Sequence, residues 1–124
     1  MRVILMLAVF GAAGTLARYS LQGWVQIRTG AGFPSGTLVI NLVGCFLLGA
    51  IGQFSLNHLS VTPEWRTALT IGFLGAFTTF STFGWETVQM LHDGEWNKML
   101  FYVGGSVLGG VVAVILGMRL GNSL

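Results

Sequence analysis

Four long apolar stretches dominate the chain, Val3 to Trp24, Gly36 to Phe54, Trp65 to Leu91 and Met99 to Leu120, with only short loops between them. An α-helix needs about 20 apolar residues to cross the hydrocarbon core of a bilayer. Lipid offers no hydrogen bonds, so each such segment must satisfy its own backbone, which a helix does. The expected fold is therefore all-α: one transmembrane domain over residues 1–124 with four helices spanning approximately 3–24, 36–54, 65–91 and 99–120. Arg2, the apolar run Val3 to Phe10 and the small residues Gly11-Ala-Ala-Gly14 imitate a secretory signal peptide. Cleavage there would leave three further spans and no exported domain, so the segment reads as the first span.

Composition closes off other classes. Charged residues make up 8% of the chain and hydrophobic ones 53%, against about 25% charged in soluble domains. The 19 glycines, in so apolar a chain, suit closely packed membrane helices. A net charge of +2 carried on six basic and four acidic side chains is too sparse for a nucleic-acid surface. Cys45 is the only cysteine, which excludes an intrachain disulfide or a cysteine metal cluster and favours a small packing residue. His58 and His92 lack a second ligand at metal spacing. No nucleophile and base pair is recognisable, so no enzyme is expected.

The third segment is the unusual one. Trp65 to Leu91 is longer than an untilted span requires, so it must tilt, protrude or be interrupted. Its midpoint, Thr78, falls in Gly72-Phe-Leu-Gly-Ala-Phe-Thr-Thr-Phe-Ser-Thr-Phe83, where Thr78, Thr79, Ser81 and Thr82 crowd hydroxyls into five residues, and Glu86 follows. An unpartnered polar group in hydrocarbon costs roughly several kcal/mol, so such a cluster implies a protein interior or an ion path. A helix break at Gly75 to Thr78 is best accommodated where freed backbone groups line a cavity or bind an ion.

Elsewhere the polar positions are few. Asn41 lies about 7 Å into the second segment at 1.5 Å rise per residue; interhelical glue and a pathway role both fit it. Tyr102, Ser106 and Gly110 recur at i, i+4 and i+8 in the fourth segment beside Gly105 and Gly109, a stripe that suits a glycine packing seam as well as a polar track. Phe80 and Phe83 share a helical face that Glu86 continues. Phenylalanine edges carry positive charge density, and Asn41, Ser81, Thr82, Tyr102 and Ser106 can supply N–H and O–H donors. Together they suit a small anion, although stacked phenylalanines usually pack and hydroxyls usually bond back to their own helix. Glu86 would repel an anion unless protonated, hydrogen-bonded by Thr82 at i−4, or used as a proton-coupled site.

Basic residues near the span ends divide evenly. Arg2, Arg66 and Arg119 fall on the side of the termini, and Arg18, Arg28 and Lys98 on the other. Orientation follows the lysine and arginine bias of short loops. A balanced chain is expected to insert both ways and to pair antiparallel, with two broken midpoints meeting near a two-fold axis where their carbonyls can hold a hard cation such as sodium.

These residues resemble a known family. Gly11-Ala-Ala-Gly14 with Arg18-Tyr19, Gly36-Thr-Leu-Val-Ile-Asn41-Leu-Val-Gly44, and Gly72 to Phe83 with Glu86 look like the Fluc (CrcB) fluoride channels of bacteria, over nearly the whole chain. The resemblance implies an antiparallel dual-topology homodimer in the bacterial inner membrane, surrounded by lipid, with two pores that export fluoride passively. It implies a structural sodium on the carbonyls of Gly75 and Thr78, and a fluoride pathway of Asn41, Phe80, Ser81, Thr82, Phe83, Glu86, Tyr102 and Ser106. Ala76 departs from a frequent glycine and bears on the sodium geometry. The alternative is a small proton-coupled multidrug exporter using Glu86, of the four-helix kind whose essential acid lies in the first helix instead. A structural membrane subunit would leave Asn41 and the Phe-Ser-Thr-Phe cluster without purpose.

Overall fold

The computed structural model describes residues 1–124 and is helical throughout, with no strand. Helix α1 runs Arg2–Thr29 and stops where Gly30 takes a φ of 83°, its N–H closing on the Gln26 carbonyl. A left-handed φ is cheap only for glycine, so the turn sits where the sequence supplies one. Helix α2, Ser35–Asn57, begins one residue earlier than the sequence suggests. Pro34 holds the cap position, Ser35 is the first helical residue, and its hydroxyl lies 3.5 Å from the Phe33 carbonyl. A neighbouring helix supplies the cap: Gln26 Oε1 accepts the Gly36 N–H at 3.0 Å, satisfying one of the orphan donors of a helix start.

The third apolar segment is divided. Helix α3, Pro63–Thr67, has proline in its first turn and the Thr62 hydroxyl as N-cap. It passes into a π-helical stretch, Ala68–Leu74, and then a last turn, α4, Gly75–Phe77. Thr78 (φ −90°, ψ 159°) and Thr79 (φ −148°, ψ 112°) are extended, and α5, Phe80–His92, starts afresh with the Thr79 hydroxyl as its cap. Helix α6 occupies Trp96–Ser123. Three helices, α1, α2 and α6, are long and apolar enough to cross a membrane.

Small residues set the packing. Helix α2 lies mainly on α6, and α1 on the π-helical stretch. A Cβ on Gly117 would overlap the Phe46 carbonyl, and one on Gly14 would overlap that of Phe73, so backbones touch at both crossings. Glycine thus forms the α6 seam at Gly109, Gly110, Gly117 and Gly121, whereas Gly104 and Gly105 face open space. Only 19 of 124 residues are buried, while Ile4, Leu16, Ile71, Phe80 and Leu108 are exposed. So much outward apolar surface suits lipid or a second chain and not water.

Candidate functional site

Two polar clusters and two cavities follow one another along α5. The first cluster surrounds Glu86. Its Oε1 accepts the Thr37 hydroxyl at 2.6 Å, its Oε2 accepts the Tyr102 hydroxyl at 3.0 Å, and Thr37 Oγ1 itself accepts Gln22 Nε2–H at 2.9 Å. Helices α1, α2, α5 and α6 therefore each contribute one side chain. The expected partner at i−4 is not used: Thr82 accepts a hydrogen bond from the Thr79 hydroxyl at 3.0 Å, because its own turn faces the helix break. Tyr102 is fully buried and Thr37 nearly so, which keeps water from competing with either hydroxyl. Glu86, Thr37 and Gln22 line a cavity of about 640 Å³ beneath the Gly30–Pro34 turn.

The second cluster is the interruption itself. Asn41 Nδ2–H donates to the Thr79 carbonyl at 3.1 Å, and Asn41 Oδ1 accepts the Thr79 N–H at 2.8 Å. The Thr79 hydroxyl accepts the Thr82 N–H at 3.2 Å and lies 3.4 Å from Ser81 Oγ. These bonds draw donors away from the helix ladder. In a continuous helix the Thr79 N–H would serve the Gly75 carbonyl and the Thr82 N–H the Thr78 carbonyl. Both N–H groups are spent on side chains, so the carbonyls of Gly75 and Thr78 lose their helical donors. The Thr78 hydroxyl binds the Leu74 carbonyl at 3.0 Å, the ordinary back-bond of a helical threonine. Gly44 makes the approach possible, since a Cβ there would overlap the Thr78 methyl.

A second cavity, about 280 Å³, opens against this cluster and is lined by Asn41, Thr79, Phe80, Phe83 and Ser106. Ser106 Oγ is buried without a protein partner, leaving its O–H to donate into the cavity. Phe83 stands between the clusters, 5.1 Å from the Tyr102 ring and 5.8 Å from the Phe80 ring. Phe80 is 83% exposed on the outer face of the chain, with Gly75 and Ser81 exposed near it.

The structure thus brings Asn41, Phe80, Thr82, Phe83, Glu86, Tyr102 and Ser106 into one row, with Ser81 and Gly75 at its exposed outer edge and Thr78 beside the second cavity. Three participants are absent from the sequence-based set. Thr79 binds Asn41, and Thr37 and Gln22 bind toward Glu86. The signal for the last two was present: Gln22 and Gln26 are polar residues one turn apart in an apolar helix, and Thr37 follows Gly36 at the start of the next.

Comparison with known proteins gives the chain's family. The family described as CrcB-like protein, Camphor Resistance (CrcB), matches residues 5–118. A protein of Geobacter metallireducens named fluoride-specific ion channel FluC is 48% identical over the full length of both chains. Proteins of the same name from Acidobacterium capsulatum and Thermus thermophilus are 43% and 45% identical, each over 97% of this chain and over 96% and 94% of their own. The chain is a multi-pass membrane protein, and it belongs to the CrcB family.

Proposed function

We propose that this protein is a fluoride-selective channel of the bacterial inner membrane, letting fluoride leave the cytoplasm passively. The observation that carries the reading is the row from Glu86 to Ser106, in which phenylalanine edges and O–H donors line a cavity that no lysine or arginine enters. Donors and ring edges replace part of the water of a small, strongly hydrated anion without the trapping that a fixed cation causes. Relatives 43–48% identical bear the name of fluoride-specific channels, which supports fluoride as the anion. Nothing in the row is arranged for bond making, and the protein acts as a channel and not as an enzyme.

Phe80 and Phe83 form one wall, Asn41, Thr82 and Ser106 supply donors, and Tyr102 spends its O–H on Glu86. Ser81 guards the outer edge. Glu86, held by two hydroxyls, forms the end of the row nearest the larger cavity. The third membrane span is a helix broken at its centre. The exposed Gly75, Ser81 and Phe80 beside that break support an antiparallel partner, because irregular backbone and hydroxyls at membrane depth are not left to lipid. The working unit is then a dual-topology homodimer with two pores. The carbonyls of Gly75 and Thr78, whose helical donors are diverted, suit a hard cation. A sodium ion there would tie the two breaks together electrostatically.

Proton coupling separates this reading from a multidrug exporter working through Glu86. In proteoliposomes, fluoride release that ignores an imposed proton gradient is expected. Proton-driven loss of an organic cation would replace the channel by an exporter.

A further inference from the structure

Gln22 has no place in the pathway described above, yet its position is specific. A carboxylate can only accept, so Thr37, 2.6 Å from Glu86 Oε1, must spend its single proton on Glu86. Its oxygen is then an acceptor toward Gln22, which fixes the amide N–H of Gln22, 2.9 Å away, as the donor. The direction of the chain is therefore Gln22 to Thr37 to Glu86, and bonds in series of this kind strengthen one another. Thr37 is 2% exposed and meets the larger cavity beside Gln22, so only a water in that cavity could take the amide's place.

Docking of α1 on α2 does not depend on this side chain. Gly36 lies against the backbone carbonyl of Gln22, where a Cβ would overlap it. One turn further on, Gln26 binds the Gly36 N–H at 3.0 Å and the Phe33 carbonyl at 2.9 Å. The two helices are joined by backbone contact and by Gln26, which leaves the Gln22 amide free to serve Thr37.

We propose that Gln22 is a positioning residue for anion passage: by donating to the Thr37 oxygen it strengthens that hydroxyl's bond to Glu86 and so holds the carboxylate between α2 and α6, at the end of the row away from Phe80. The inference rests on the channel reading. Without Gln22 the Thr37 oxygen loses its donor, its bond to Glu86 weakens, and the carboxylate is freer to swing toward Phe83, where it repels the cargo.

A double-mutant cycle on fluoride release from proteoliposomes tests this. Gln22→Met keeps length and helix preference while removing the donor, and Thr37→Val removes the hydroxyl. Gln22→Met is expected to slow release about 3- to 10-fold, as loss of one hydrogen bond implies, with unchanged elution and thermal unfolding in detergent. The same change made in Thr37→Val should add nothing, whereas in Thr37→Ser, which keeps a hydroxyl, its effect should persist. Wild-type rates in Gln22→Met, effects that multiply in the Thr37→Val background, or loss of native elution on Gln22→Met each overturn the inference. Wild-type protein that releases no fluoride overturns the channel reading instead, an outcome distinct from all three.

Discussion

Asn41 and Thr79 hold each other by two hydrogen bonds running in opposite directions, 3.1 Å from Nδ2 to the Thr79 carbonyl and 2.8 Å from the Thr79 N–H to Oδ1. The carboxamide thereby plays the part of a neighbouring peptide. A residue that reads from the sequence as either glue or pathway joins two helices here, and it also lines the second cavity.

Removing that clamp should be costly. Asn41→Leu strands a buried N–H and C=O on Thr79, each worth about 1–3 kcal/mol, and is expected to lower the unfolding midpoint in detergent and abolish fluoride release. Asn41→Asp keeps the acceptor for the Thr79 N–H and should fall between Asn41→Leu and wild type in stability. Equal stability of wild type and Asn41→Leu would mean that the break holds itself.

Glycine positions divide sharply by what they touch. Gly117→Leu pushes a side chain into the Phe46 carbonyl and is expected to destabilise by about 1–3 kcal/mol or prevent folding. Gly52→Ala meets nothing within 4 Å and should leave the unfolding midpoint unchanged or slightly raised through helix propensity. Thermal unfolding followed by size-exclusion chromatography reads both.

Phe80 packs on little besides Phe83 within the chain, being 83% exposed. Phe80→Ile should therefore leave expression and elution close to wild type while stopping fluoride release. Release at the original rate would remove the aromatic edge from the mechanism.

Balanced loop charges make orientation easy to shift. Two lysines added to the 58–62 loop should drive a C-terminal topology reporter to a single orientation, while the unmodified chain reports both. A single orientation in the unmodified chain would remove dual topology.

Much of this arrangement is legible in the residues. Four apolar lengths mark the helical segments, and the hydroxyls from Thr78 to Thr82 mark the polar cluster that Asn41 binds, because they have no other reason to gather in lipid. Local pattern does not carry the rest. The π-helical stretch Ala68–Leu74 depends on hydrogen-bond register, which the residue types there do not encode. Ser35 is a good cap by type, yet Gln26 reaches across from α1 and Pro34 takes the cap position. Glu86 finds Thr37 and Tyr102 instead of Thr82, and those pairings exist only once four helices have met. The glycines of α6 also separate in three dimensions, into those on α2 and those that face outward.

The central claim is selective, passive passage of fluoride, and it is tested most directly by loading proteoliposomes with potassium fluoride or potassium chloride, opening a potassium pathway, and recording each anion outside with a selective electrode. Rapid fluoride release with chloride retained is the predicted result; equal release of both anions, or retention of fluoride, would contradict it.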